Sequence, residues 1–145
     1  MSHVTILIGI AVNGKPVGGV IHQPYYTESE GRTLWGVSGV GYGGFDLIAP
    51  PEEQRIATTT RSHSIPRVES ALVAIKADQI LRVGGAGHKA LLLLEGKAHV
   101  YLFASRGCKK WDTCAPEAIL NAVGGKLTKL DGEHYQYHKE VIHDQ

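Results

Sequence analysis

The sequence predicts a mixed, layered α/β fold in which an antiparallel meander precedes a βαβαβαβ segment. Two regions of the 145-residue chain differ in composition. Residues 4–47 are rich in glycine, valine and aromatic residues, with turn signals at short intervals, which is typical of antiparallel strands. From residue 56 onward, short apolar runs alternate with helical patterns of about ten residues, and this alternation indicates βαβ units.

The first region predicts a meander of three or four strands. TILIGIAV (5–12) and KPVGGVIHQP (15–24) flank Asn13-Gly14. This dipeptide is the strongest short-range hairpin signal, because both central residues tolerate a positive φ. RTLWGVS (32–38) should form a third strand, and GFDLIA (44–49) is a possible fourth.

The second region predicts three helices between four short strands. Strands are expected at residues 56–60, 80–83, 98–105 and 126–130. Ser64 can cap the first helix, Pro66 fits its first turn, and apolar residues follow at helical spacing, namely Val68, Leu72 and Ile75. The second helix, GHKALLLLEG, should stop at Gly96.

The third helix should begin directly after Asp112. Pro116 fits only an early turn of this helix, and Gly124-Gly125 should end it. These breaks predict three segments of the chain. They are antiparallel strands in residues 1–48, a polar, proline-bearing linker in residues 49–55, and a carboxy-terminal α/β domain in residues 56–145.

The composition excludes several classes of protein. Hydrophobic residues make up 43% and charged residues 20%, which is typical of a globular chain, and no apolar run is long enough to span a membrane. The net charge of +1 argues against a dominant nucleic-acid or membrane-surface role. Cys108 and Cys114 alone form neither a zinc knuckle nor a disulfide framework. A reducing, cytoplasmic location is the expectation.

Polar residues cluster where three predicted strands lead into helices. In open α/β sheets, ligands bind beyond the carboxyl ends of the strands, near helix N-termini, which attract anions. The three junctions are TTTRSHS (58–64), GGAGHK (84–89) and SRGCKKWD (105–112). Four cations accompany them, namely Arg61, Lys89, Lys109 and Lys110. This arrangement predicts a phosphorylated ligand.

Other interpretations of these motifs are weaker. GGAGHKA matches a dinucleotide-binding turn only in part, because no acidic residue follows at the required distance, and Ala90 breaks a Walker loop. His134 and His138 have i,i+4 spacing that could bind a metal, but HYQYH reads as a strand or turn. Cys108 could act as a nucleophile, yet no base can be assigned to it.

Asp112 has two interpretations that spacing cannot separate. As an N-cap it would satisfy amides at the start of the third helix. As a Mg²⁺ ligand it would need further oxygen donors, and the sequence offers no second carboxylate nearby.

Several blocks of the chain resemble a known family. WDTCAPEAILNAVGGKLT (111–128) looks like the carboxy-terminal signature of the inositol monophosphatase superfamily. Combined with the blocks at 9–26, 31–37, 58–64, 81–89 and 104–120, it resembles the 3′(2′),5′-bisphosphate nucleotidases within that superfamily. The resemblance covers essentially the whole chain and implies the later half of a sugar-phosphatase-like fold, with residues 1–48 belonging to an incomplete first domain.

The resemblance also implies an activity and a site. It implies a Mg²⁺-dependent, lithium-sensitive phosphatase that removes the 3′-phosphate of adenosine 3′,5′-bisphosphate and leaves AMP. Carried over by motif, Asp112 would be a metal ligand that also lies near the sugar. The nucleotide would be held by Thr60, His63, Gly85 and Lys89, with Ser62 as a weaker candidate.

The chain departs from the family in one respect. The family's other metal ligands lie in a Glu-Glu segment and an Asp-Pro-x-Asp-Gly-Thr motif, both amino-terminal to the blocks above, and no segment of this sequence matches them. The chain is therefore expected to begin just after that motif. We assign no catalytic residue, and we expect negligible hydrolysis by this chain alone.

Two other functions stay open. The chain could be a non-catalytic module that binds a nucleotide or phosphate, or a phosphatase that acts on inositol phosphates. An apolar first strand without upstream partners also predicts a homo-oligomer formed through that strand.

Overall fold

The computed structural model describes residues 3–61, 66–104 and 107–140. Within these residues the chain forms two sheets and three helices. The elements are β1 (Ile6–Val12), β2 (Lys15–Gln23), β3 (Arg32–Val37), β4 (Gly41–Gly43), β5 (Ile56–Thr60), α1 (Pro66–Ala74), β6 (Gln79–Val83), α2 (Ala86–Leu94), β7 (Val100–Tyr101) and α3 (Lys110–Ala122). The mixed α/β class predicted from the sequence is confirmed.

The first sheet is an antiparallel meander with strand order β1-β2-β3-β4. Asn13 and Gly14 have φ values of 50° and 77°, as the predicted hairpin requires. The prediction of a fourth strand at residues 44–49 is wrong, because the fourth strand is β4. Gly44, with φ of 83°, turns the chain out of the sheet, and Phe45 then packs against the core.

The second sheet has three parallel strands in the order β6-β5-β7. Within the described part of the predicted third strand, residues 98–104, only the two residues of β7 form a strand. The prediction of a strand at 126–130 is wrong within the described chain. Leu127 packs against the core there, and the amide of Lys129 donates to the carbonyl oxygen of Glu133 in a local loop, at 2.8 Å.

Helices α2 and α3 lie between the two sheets. One core cluster joins Ile21 and Leu34 of the first sheet to residues of both helices. A second cluster joins Leu92 of α2 to Ile56 of β5. Helix α1 covers the opposite face of the small sheet, where Val68 packs near Ala57. None of the described helices is both long and apolar enough to cross a membrane.

Helix α3 packs directly on the backbone of the meander because a row of glycines removes the side chains between them. Gly9, Gly19 and Gly36 are cross-strand partners on β1, β2 and β3. A Cβ atom at Gly36 would lie 2.8 Å from the Cα atom of Ile119, and one at Gly9 would lie 2.6 Å from Sγ of Cys114. This close packing fixes the position of the helix that carries Asp112.

Candidate functional site

Strand β5 is the central strand of the parallel sheet, and its last residue is Thr60. The hydroxyl groups of Thr58 and Thr59 donate within the sheet, to the carbonyl oxygens of Leu81 (3.2 Å) and Leu102 (2.8 Å). Thr60 is buried at the carboxyl end of β5, the edge at which a ligand was expected. Ser62, His63 and the predicted helix cap Ser64 lie outside the described residues, so their predicted roles stay predictions.

Gly85 stands at the N-terminus of α2, directly after β6. Its φ of 79° is a conformation that favours glycine, and a Cβ atom there would lie 2.6 Å from the carbonyl oxygen of His3. The amide and the side-chain ammonium of Lys89 both donate to the carbonyl oxygen of Gly85, at 3.2 Å and 3.0 Å. Two of the predicted substrate-binding residues are thus in direct contact.

Lys89 is a buried cation, and only 3% of its surface is exposed. Among the described residues, no carboxylate lies within 4.0 Å of its ammonium nitrogen. Burial lowers the pKa of Lys89, and the nearby Cys108 and Asp112 oppose that shift. Burying a charge without an ion pair is costly, and within the described residues the Lys89 ammonium has no carboxylate partner to offset that cost.

Asp112 lies in the first turn of α3, as its third residue. The N-cap position belongs to Lys109, so the interpretation of Asp112 as the N-cap is wrong. The helix begins three residues earlier than expected because Oδ2 of Asp112 accepts the backbone N–H of Lys109, at 3.0 Å, and closes the first turn from inside. Pro116 is consequently the seventh residue of the helix, and it cannot donate a hydrogen bond to the carbonyl oxygen of Asp112.

Cys108 lies in the same neighbourhood as Lys89 and Asp112. Burial, together with the Asp112 charge, raises the pKa of the Cys108 thiol to about 11, while Lys89 opposes this shift. Burial also raises the pKa of Tyr101, and the charges of Cys108 and Asp112 add to that effect. Lys89, Cys108, Tyr101 and Asp112 thus influence one another electrostatically, and the Lys89 ammonium lies 5.1 Å from the centroid of the Tyr101 ring.

The remaining cations of the three junctions do not all face this region. The ammonium of Lys110 donates to the carbonyl oxygens of His138 (3.3 Å) and Glu140 (2.9 Å), so it holds the carboxy-terminal segment. Of the four cations that the sequence groups at these junctions, Lys89 is buried, Lys109 and Lys110 are partly buried, and Arg61 is exposed.

The described residues offer only part of a Mg²⁺ site. They contain no group of three or more His, Cys, Asp or Glu side chains that could hold a metal ion. Nδ1 of His134 lies 3.9 Å from the buried carboxylate of Glu117, so the nearest described acidic partner of His134 is Glu117. Asp112 can supply one carboxylate, and Mg²⁺ is commonly held by one or two carboxylates together with water and phosphate oxygens.

Sequence reasoning missed two contributors to this site. Tyr101 lies at the end of β7, and its ring centroid is 5.1 Å from the Lys89 ammonium. The glycine row that seats α3 was also missed, although Gly18-Gly19 and Gly36 at the centres of predicted strands could have indicated a close backbone approach.

Comparisons with known proteins agree with this fold. The chain matches the inositol monophosphatase family over residues 1–144. It is 56% identical over 149 residues to the human 3′(2′),5′-bisphosphate nucleotidase 1, an alignment that covers 99% of this chain and 48% of that protein. The chain belongs to the inositol monophosphatase family, and it spans about half the length of these curated relatives.

Solved structures show the same fold. A dual-specific inositol monophosphatase/NADP phosphatase bound with D-inositol-1-phosphate superposes with a TM-score of 0.72 at 20% identity, covering 94% of this chain and 53% of that one. An inositol monophosphatase/NADP phosphatase complexed with Mg²⁺ and phosphate superposes with a TM-score of 0.64 at 18% identity, covering 90% and 49%.

Proposed function

We propose that this chain binds a phosphorylated nucleotide, adenosine 3′,5′-bisphosphate or its product AMP, beside Lys89 and the first turn of α3. The whole protein of this lineage would remove the 3′-phosphate with the help of Mg²⁺. One observation carries the proposal: Lys89 is buried, and no carboxylate of the described chain pairs with it. The relatives named as bisphosphate nucleotidases indicate which anion to test first.

The charge of the site fits a phosphate group. A lysine ammonium has three N–H donors, and that of Lys89 uses one of them in its hydrogen bond to the carbonyl oxygen of Gly85. The N-terminus of α2 lies beside it and adds a partial positive charge from its free amides. A phosphate oxygen beside Lys89 would therefore gain both a charge-assisted hydrogen bond and the field of the helix.

Asp112 would supply only one of the oxygen ligands that Mg²⁺ needs. The bound ion would neutralise phosphate charge, but a single carboxylate should bind it weakly until a phosphate supplies further oxygen ligands. This chain by itself would therefore bind the nucleotide and release phosphate from it negligibly. The presence of one candidate carboxylate ligand favours a binding module as the function of the isolated chain, with hydrolysis as the function of the whole protein.

Calorimetry with adenosine 3′,5′-bisphosphate, with and without Mg²⁺, tests this proposal. Lys89→Met keeps most of the buried volume and removes the charge, so we expect affinity to fall at least about tenfold. Lys15→Met, at an exposed lysine of β2, is the matched control and should leave affinity unchanged. Equal affinity for the wild type and Lys89→Met, or no binding by the wild type, would contradict the proposal.

The same titration separates the nucleotide from its main competitor. One neighbour of the same fold was solved with D-inositol-1-phosphate, so an inositol phosphate is the second candidate ligand. Tighter binding of D-inositol-1-phosphate than of AMP would favour it. Phosphate release in the calorimeter samples then distinguishes binding from turnover, and robust release that Asp112→Asn abolishes would overturn our expectation of an inactive chain.

We also propose that the chain forms a homo-oligomer through β1. Alternate residues of this segment are apolar and about half exposed on one face of the sheet, namely Val4, Ile6, Ile8, Ile10 and Val12. Strand β1 is also the end strand of its sheet. A second copy could pair with this edge around a two-fold axis, because antiparallel strand pairing is self-complementary. Because the exposed side chains on this face of β1 are apolar, a second copy of the chain is a better partner than a highly charged molecule.

Sedimentation velocity tests this pairing. Ile8 is 58% exposed on the face of β1, so Ile8→Lys should shift the protein toward the monomer. Val73, 76% exposed on α1, gives the control Val73→Lys, which should leave the assembly unchanged. A monodisperse wild-type monomer at high concentration would contradict the proposal.

A cytoplasmic location is a further proposal, which the two free cysteines support.

A further inference from the structure

We propose that Tyr101 is a positioning residue that holds the Lys89 ammonium at the phosphate site. This inference rests on the proposed binding of a phosphate beside Lys89. The observation behind it is the placement of the Lys89 ammonium nitrogen 5.1 Å from the centroid of the Tyr101 ring. A cation at this distance from an aromatic face is attracted by the electron density of the ring.

The lysine needs such a partner because its side chain is long and its described surroundings provide no carboxylate in ion-pair range. The carbonyl oxygen of Gly85 fixes the ammonium from one direction, at 3.0 Å. The ring of Tyr101 supports it from another direction without consuming an N–H donor in a conventional hydrogen bond. The ammonium is thereby kept in place while its remaining donors stay available for a ligand.

Tyr101 is itself held firmly by the parallel sheet. It is the last residue of β7 and the register partner of Thr58 on the central strand. The amide of the next residue, Leu102, donates to the carbonyl oxygen of Thr58 at 2.9 Å. The ring therefore projects from a backbone that is hydrogen-bonded to the central strand β5, and it can act as a rigid support for the lysine of α2.

If the phenol of Tyr101 were ionised, its negative charge and not its aromatic face would attract Lys89, but the environment disfavours ionisation. Burial and the neighbouring Cys108 and Asp112 raise the pKa of Tyr101, so the phenol stays neutral at physiological pH. The contribution of Tyr101 to Lys89 is thus the aromatic face. We therefore expect phenylalanine at position 101 to preserve the contact with Lys89 and an aliphatic residue to lose it.

Two measurements test the role of Tyr101 separately from the proposed function. In the ligand-free protein, NMR of the Lys89 ε-methylene should show a ring-current shift that Tyr101→Phe retains and Tyr101→Leu removes. In calorimetry with adenosine 3′,5′-bisphosphate, Tyr101→Phe should bind within about twofold of the wild type and Tyr101→Leu about tenfold more weakly. Thermal unfolding confirms that each variant is folded.

The outcomes are distinguishable. In one outcome the wild type fails to bind the nucleotide but the ring-current shift behaves as expected. The proposed function and the role of Tyr101 in positioning Lys89 for phosphate are then overturned, whereas the contact between ring and lysine stands. If the nucleotide binds and Tyr101→Phe loses as much affinity as Tyr101→Leu, the ring does not position Lys89. Absence of the shift in the wild type would overturn the inference directly.

Discussion

Gly19 lies against the backbone of Ala115, and a Cβ atom at this glycine would overlap the carbonyl oxygen of Ala115. The contact is between backbone atoms on both sides, so neither β2 nor α3 can yield by changing a rotamer. Gly19→Ala should therefore lower the free energy of unfolding by about 1–3 kcal/mol, as overpacked sites do. Urea denaturation measures this loss.

The neighbouring glycine provides the control for this prediction. Gly18 lies on the same strand but faces away from α3, and a Cβ atom there would lie 3.7 Å from Val37 in ordinary contact. Gly18→Ala should change the free energy of unfolding by less than about 1 kcal/mol. Equal losses for the two variants would show that α3 does not depend on the glycine row.

The carboxylate of Glu117 is 2% exposed, and it accepts a hydrogen bond of 2.5 Å from the hydroxyl of Tyr137. Burial raises the pKa of Glu117, while Tyr137 and then His134 oppose that shift. The folded chain therefore binds this proton more tightly than the unfolded chain. The contribution of Glu117 to stability should consequently decline as pH rises above its ordinary pKa of 4.5.

Removing the hydroxyl of Tyr137 should make this pH dependence steeper. Tyr137→Phe leaves the buried carboxylate without that donor, so we expect a loss of about 1.5–3 kcal/mol at pH 7. The loss should be smaller near pH 4.5, where the proton reduces the charge. Urea unfolding at both pH values measures the difference, and an equal loss at the two values would contradict the assignment. Glu117→Gln should abolish the difference.

The thiol of Cys108 reports on the charges around the candidate site. With a pKa of about 11 it should react slowly with iodoacetamide at neutral pH and faster with each step of pH toward 11. Asp112→Asn should lower this pKa, and Lys89→Met should raise it further. A Cys114→Ala background isolates the signal of Cys108. If neither substitution changes the pKa of Cys108, the thiol does not sense the charges of Asp112 and Lys89, and the three residues do not share one site.

His88 should remain neutral in mildly acidic solution. Burial, followed by the charge of His3, lowers the pKa of His88 from 6.5 to about 4. The two rings stack at a centroid distance of 4.1 Å. Because the folded chain binds this proton less tightly than the unfolded chain, stability should decrease as pH falls from 6.5 toward 4. A histidine NMR titration with a midpoint above 6 would refute this.

The sequence was sufficient for the elements that depend on local chemistry. Asn13-Gly14 predicted the hairpin because positive φ values are a local property, and Gly96 predicted the end of α2 for the same reason. The start of α3 was misjudged because Asp112 resembles an N-cap in isolation. Its carboxylate instead binds the amide of Lys109 from inside the first turn.

The site was predictable only where strand ends determine it. Lys89 and Asp112 were identified by their positions after strands, and both influence the pKa of Cys108, in opposite directions. The contact between Lys89 and Tyr101 depends on the register of β7 with β5, which no local pattern encodes. The strand expected at 126–130 failed because that segment finds its partners in a loop and in the core instead of in a sheet.

The most direct test of the account is a double-mutant cycle on nucleotide binding. Calorimetry with adenosine 3′,5′-bisphosphate and Mg²⁺ would compare the wild type, Lys89→Met, Asp112→Asn and the double variant. If one phosphate group contacts both the lysine and the ion held by Asp112, the two losses should couple by at least about 0.5 kcal/mol. Strictly additive losses, or no loss in either single variant, would contradict a shared site.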